Sequence, residues 1–236
     1  MIVAIAGGHG QIALLLEKEL TARGHEAIAL VRNPDHVADV EKHGARAEVI
    51  DLEHTTVEAL SAAIAGADAV VFAAGAGASS GAARKETVDR GAAVLLADAA
   101  VAAEVGRYVM VSSMGADAAD PDSDDVFQVY LRAKGAADAD LMARDELAWT
   151  IVRPGRLTDD EAKDRVEVAP SVGRGEIPRA DVAAVLAELL GTGAAVGRCS
   201  RSCPAASRWR TPWRHCAREP GKPCSRSHSH PSHSRP

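Results

Sequence analysis

Along the first 197 residues, short apolar runs alternate with longer segments in which apolar residues recur every three or four positions. Residues 2–6, 27–32, 47–52, 69–74, 107–112 and 149–153 read as strands, with a further short strand at 165–169. Residues 11–23, 34–43, 57–65, 86–104, 127–144 and 180–190 read as helices, with Gly24 and Gly44 as stops and Pro34 in a first turn. The strands are apolar on both faces, so both faces need cover. Helix-length spacers between such strands predict a parallel sheet with helices on either side. Right-handed crossovers then give an α/β fold of the doubly wound, Rossmann type. One domain is expected over residues 1–197, with a small substrate region at about 156–178.

The turn between the first strand and the first helix reads Gly7-Gly8-His9-Gly10-Gln11-Ile12-Ala13. Two glycine registers fit, Gly7-x-x-Gly10-x-x-Ala13 and Gly8-x-Gly10-x-x-Ala13. Glycine allows a tight turn and lets a pyrophosphate approach the backbone. The following helix turns its free N–H groups and positive dipole end toward that phosphate. A dinucleotide site is therefore expected at Gly7, Gly8, His9, Gly10, Gln11 and Ile12.

The second strand ends Leu30-Val31-Arg32-Asn33, where NAD enzymes usually carry an acid on the ribose hydroxyls. A guanidinium there can pair with a 2′-phosphate and stack on adenine. Arg32 and Asn33 thus favour NADP(H), with NAD as the alternative. Asp51-Leu52 closes the third strand, within reach of the adenine amino group.

Ser112 and Ser113 end the fifth strand, on the side of a parallel sheet where ligands bind. Tyr130 and Lys134 then stand four residues apart on one helix face. A tyrosine is a poor acid–base group at neutral pH, and a neighbouring ammonium is expected to lower its pKa. A serine hydroxyl can hold the substrate oxygen beside it.

These motifs, with Ala73-Ala74-Gly75 and Arg153-Pro154-Gly155, make residues 1–197 similar to the short-chain dehydrogenase/reductase superfamily. The resemblance is to its atypical or extended branch, among NmrA-like and epimerase/dehydratase-like NAD(P)H-binding proteins. It implies that Ala73, Ala74 and Gly75 line the cofactor channel and that Pro154 and Gly155 pass near the nicotinamide carboxamide. It further implies that Tyr130 moves the proton, that Lys134 lowers its pKa and holds the nicotinamide ribose, and that Ser113, in preference to Ser112, binds the substrate oxygen. The expected activity is an NADP(H)-dependent oxidoreductase for a small carbonyl or alcohol. The short substrate region points to a small substrate. The alternatives are an NAD(P)-dependent sugar epimerase or dehydratase and a non-catalytic NADP(H) sensor.

Charge divides the chain. Residues 1–197 hold 32 of the 33 acids, whereas residues 198–236 hold nine of the 27 Lys and Arg and one acid, Glu219. All four cysteines and six of the eleven prolines lie in that second stretch. Its lack of periodicity predicts an irregular, disordered tail. The abrupt change of usage also suggests that a shift of reading frame replaced the natural C-terminus, which resequencing the coding DNA would test. The spacing of Cys199, Cys203, Cys216 and Cys224 matches no zinc knuckle, even with His215, His228 and His230 nearby, so no metal site is expected. No run reaches membrane-spanning length and no basic leader opens the chain. The expectations are a cytoplasmic protein, a monomer or small homo-oligomer, with no nucleic-acid or membrane partner.

Overall fold

The computed structural model describes residues 1–77, 79–193 and 197–204. Strands β1 (Ile2–Ala6), β2 (Glu26–Val31), β3 (Arg46–Val49), β4 (Ala69–Phe72), β5 (Arg107–Val111) and β6 (Ala148–Pro154) run parallel in the order β3-β2-β1-β4-β5-β6. The chain builds outward from β1 to β3, then returns to place β4 on the other side of β1. This reversal opens a crevice at the C-terminal ends of β1 and β4, where ligands of doubly wound folds sit.

Side-chain alternation splits the core in two, because successive strand residues face opposite ways. Val3, Ile5, Ala29 and Val71 face α1 (Gln11–Ala22) and α7 (Arg179–Thr192), meeting Leu16, Leu20 and Leu186. Ala4, Ile28, Val70 and Phe72 face α3 (Val57–Ala63), α5 (Ala93–Ala102) and α6 (Val126–Met142), meeting Leu60, Leu96 and Leu141. The doubly wound α/β expectation holds.

Several boundaries differ. The helix expected at 86–104 starts earlier. A turn of α4 (Ala82–Arg84) leads into a π-helix over Lys85–Ala92, and only then into α5. The wider π turn buries Lys85 and Asp89 together, and such insertions gather at functional sites. The helix expected at 34–43 divides into a 3₁₀ turn (Pro34–His36) and α2 (Val37–Lys42). The substrate region holds three short strands, β7 (Arg156–Thr158), β8 (Val166–Ala169) and β9 (Glu176–Pro178), with β7 and β9 paired in parallel. Only β8 was foreseen, because three-residue strands leave no periodic signal.

The tail needs a correction. Arg198–Pro204 forms a strand, β10, parallel to β6 and antiparallel to β8, so the start of the stretch expected to be irregular is paired into the sheet. Ladder bonds use only backbone N–H and C=O groups. The open edge of β6 can therefore be paired by a segment with no apolar pattern. The remaining tail residues, with Cys216, Cys224 and the histidines from 215 to 230, lie outside the described residues. Among the described residues no helix is long and apolar enough to cross a membrane.

Candidate cofactor groove and active site

Three cavities join end to end along the C-terminal edge of the sheet. The first, of about 360 Å³, runs from the Gly7–Gly10 turn over the ends of β2 and β3. The second, of about 640 Å³, shares Ala73–Ala76 with it and reaches Tyr130 and Lys134. The third, of about 730 Å³, shares Ser112 and Tyr130 with the second and extends past β7 to Arg174, Gly175 and Arg179.

The turn is held by backbone bonds, from Gly10 N–H to Gly7 O at 2.8 Å and from Gly8 N–H to Leu30 O at 3.0 Å. Gly7 sits at φ +80°, and a Cβ there would fall 2.6 Å from Ala74 Cα. Gly7 and Gly10 line the groove, while Gly8 packs against β2, where a Cβ would meet that of Ala29 at 2.5 Å. The geometry thus favours the Gly7–Gly10–Ala13 register. Gly10 is the N-cap of α1 and has no side-chain cap, which leaves the first-turn N–H groups to a ligand. His9 lines the first cavity and Ile12 the second. Gln11, expected at the cofactor, lines none of the three and is exposed. A dinucleotide fits this cradle: glycine floor, free helix N-terminus, and an elongated cleft across the chain reversal.

Arg32, Asn33, Asp51, Leu52, Ala73, Ala74 and Gly75 all line the first cavity. Asn33 Oδ1 accepts from Asp35 N–H at 3.0 Å and so starts the 3₁₀ turn. Asp51 accepts from Glu53 N–H at 3.0 Å and pairs with His54 at 3.1 Å. Sequence reasoning missed Glu53 and Arg84, which complete this end. Glu53 lies 3.3 Å from Arg32 Nη1 and 2.5 Å from Arg84 Nη2, and Thr87 Oγ1 donates to it at 2.7 Å. The bond from Arg84 is the main reason its carboxyl stays below the usual range. Two guanidinium groups therefore converge where one was expected.

At the other end α6 starts from Asp125, whose side chain accepts from the N–H groups of Phe127 and Gln128. The helix presents Tyr130, Lys134 and Asp138 on successive turns. Ser113, Pro154 and Gly155 border the third cavity with Tyr130. Ser112 borders it too, but its Oγ donates to Asp138 Oδ2 at 2.8 Å. Arg153 Nε donates to the same oxygen at 2.8 Å, so a buried Ser112–Asp138–Arg153 network fixes the end of β5 to α6 and β6.

The expected lowering of the Tyr130 pKa is corrected. Burial, and next the Asp89 charge, push the phenol up to about 12, while Ser113 pulls the other way. The ammonium of Lys134 is committed elsewhere, 3.6 Å from Asp89 and donating to Val111 O at 3.2 Å. Burial holds the pKa of Lys134 itself below the ordinary lysine value. A second lysine, Lys85, stands 5.5 Å from the Tyr130 ring centre and donates to Gly77 O at 2.6 Å. Lys85 and Asp89 were legible only as four-apart partners on a helix, a spacing too common to single them out.

This chain belongs to the NAD(P)H-binding family, which matches residues 7–192. It is 35% identical over 184 residues to the uncharacterized sugar epimerase YhfK of Bacillus subtilis, covering 78% of this chain and 85% of that one. A Bacillus halodurans structure, assigned as an NAD-dependent epimerase/dehydratase, is 36% identical with a TM-score of 0.81. That match covers 88% of this chain and 96% of the other. The oxidoreductase ylbE of Lactococcus lactis superposes with a TM-score of 0.77 at 27% identity, covering 88% and 93%. The fold is that of the atypical short-chain dehydrogenases, and the cofactor class is a nicotinamide dinucleotide.

Proposed function

We propose that the chain is an NADP(H)-dependent reductase of a small carbonyl compound. The observation that carries this reading is the position of Tyr130, protonated at neutral pH and shared between the second and third cavities. When bound, a nicotinamide supplies a hydride to the carbonyl carbon. Tyr130 Oη gives its proton to the carbonyl oxygen as charge develops there. A phenol with its pKa pushed up to about 12 still suits this role, because an alkoxide is the stronger base. Ser113 holds the substrate oxygen beside Tyr130. Lys134, paired with Asp89, supports the ribose and balances the buried charge. Arg32 and Arg84 receive the 2′-phosphate, which is the basis for NADP(H) over NAD.

A second reading, a sugar epimerase or dehydratase that retains its nucleotide, draws on the names of the Bacillus relatives. A third, an NADP(H) sensor without turnover, draws on the commitment of Lys134 to Asp89. NADPH oxidation across a panel of aldehydes, ketones and quinones separates the three. Turnover abolished in Tyr130→Phe is the expected result. Tight NADPH binding without turnover on any member would favour the sensor, and conversion of a sugar nucleotide without net oxidation would favour the epimerase.

A further inference from the structure

The third cavity has a chemical bias beyond the proton-transfer end. Its near wall is Ser113, Tyr130, Pro154 and Gly155, and its far wall carries Arg156, Arg174 and Arg179. Among the described residues no aspartate or glutamate lines it, although the chain has 33 acids against 27 Lys and Arg. The gathering is built by the fold. β7 and β9 pair Arg156 with Glu176 and Thr158 with Pro178, and Arg156 N–H donates to Gly175 O at 2.9 Å. That register sets the turn carrying Arg174 beside Arg156. Arg179 follows β9 directly as the first residue of α7.

These guanidinium groups are lightly held. Arg156 meets Glu176 at 2.8 Å in a pair whose side chains are 80% and 53% exposed. Arg179, its side chain 22% exposed, meets Asp159 at 2.6 Å, and that carboxylate is 74% exposed. A pair as open to water as Arg156–Glu176 contributes about 0–1 kcal/mol, so an incoming anion displaces it at little cost. Arg174 has no ion-pair partner among the described residues. Between the arginines and Tyr130 the wall is apolar, with Met114, Leu131, Leu157 and Phe127, an aromatic side chain left substantially exposed.

We infer that the substrate is an oxyanion, an apolar body that bears a carboxylate or phosphate group gripped by Arg156, Arg174 and Arg179 and presents its carbonyl to Tyr130. The inference rests on the carbonyl-reductase reading above for the reacting end only. The arginine grip stands on the cavity alone. Guanidinium groups bind either anion through paired N–H donors, whereas an apolar wall binds the intervening body whatever its charge.

The test uses full-length protein loaded with NADPH and four probes: benzaldehyde, 4-carboxybenzaldehyde, 4-formylphenyl phosphate and the 4-trimethylammonio analogue. We expect KM at least about tenfold lower for the anionic pair than for benzaldehyde, with the gap shrinking at high salt, as for charge-assisted contacts in partial water. The better of the two anions identifies the natural head group. Arg174→Ala should remove most of that gap by raising KM for the anionic pair far more than for benzaldehyde, and Arg174→Lys should restore part of it. Equilibrium binding of benzoate and phenyl phosphate against benzyl alcohol is measured in parallel. Equal KM values for neutral and anionic aldehydes, or equal loss on both in Arg174→Ala, would overturn the inference while leaving the reductase reading intact. Selective, Arg174-dependent anion binding with no turnover of any aldehyde would sustain the inference and overturn the reductase reading.

Discussion

Lys134 Nζ lies 3.6 Å from Asp89 Oδ1, with both side chains buried beside Tyr130. The pair joins α6 to the π-helix, and Asp89 also accepts from Ala76 N–H at 3.3 Å on the groove wall. A buried pair of this kind sets local charge more than it adds stability. Asp89 also raises the Tyr130 pKa, second only to burial. Asp89→Asn should therefore bring the phenol down from about 12, visible as phenolate absorbance at lower pH. The only other tyrosine, Tyr108, is fully buried and pushed far higher, so it does not obscure the transition. Stripping Lys134 of its partner should also cost about 3 kcal/mol in urea unfolding. An unchanged phenol titration would remove Asp89 from the account of Tyr130.

Adjacent serines divide the work. Ser112 Oγ donates to Asp138, whose other oxygen, Oδ1, is buried without a hydrogen bond among the described residues. Ser112→Ala should destabilise the fold by about 1–2 kcal/mol, while the KM for a carbonyl substrate stays near that of the parent. Ser113 borders the cavity with Tyr130 and draws the phenol pKa down. Ser113→Ala should leave the unfolding midpoint nearly unchanged, lower kcat and raise the Tyr130 pKa further. Steady-state kinetics beside denaturant melts of the two variants tests this division, and a reversal of the two patterns would exchange their roles.

The elements that the sequence made legible are those with many residues in register. Leu16 and Leu20 on α1, and the fully buried Val70, Val71 and Phe72 of β4, leave a period that survives without tertiary context. Gly7, Gly10, Tyr130 and Lys134 were readable because turn geometry and helix spacing act locally. The partners that reset their chemistry were not. Asp89 reaches Lys134 from 45 residues away, and Glu53 draws Arg84 toward Arg32 across 31. β10 was hidden for a different reason, since the residues of Arg198–Pro204 carry no apolar alternation while the ladder to β6 uses backbone groups.

The Arg32–Glu53–Arg84 cluster gives opposite predictions for its charges. Glu53, which lies 3.3 Å from one guanidinium and 2.5 Å from the other, competes with a 2′-phosphate for both. Arg32→Ala and Arg84→Ala should each weaken NADPH binding by about tenfold while changing NADH little, the size of one charge-assisted contact. Glu53→Gln should strengthen NADPH relative to NADH, since it removes a competing carboxylate. Fluorescence titration with both nucleotides measures the ratio. Equal parent affinities for NADPH and NADH would defeat the NADP assignment.

Glu17 supplies a pH dependence unrelated to turnover. It lies fully buried on α1, and neither carboxylate oxygen has a hydrogen-bond partner among the described residues. Burial, and next the charge of Asp39, push its pKa from 4.5 to about 8. Below 4.5 the group is protonated whether the chain is folded or not, and the native state is not penalised. Between 4.5 and about 8 the unfolded chain releases the proton while the folded chain keeps it, so stability falls as pH rises. Above about 8 the penalty is complete and the curve flattens. Glu17→Gln removes the titration but keeps the shape. Its stability should match the parent near pH 4 and exceed it by up to about 5 kcal/mol above pH 8, from the 1.36 kcal/mol that each pKa unit represents. Urea unfolding of both proteins across that range isolates Glu17, because every other titrating group is common to the two and cancels in the difference. Curves that stay parallel from pH 4 to above pH 8 would show that Glu17 ionises normally, and that water or a shifted α1 reaches it in solution.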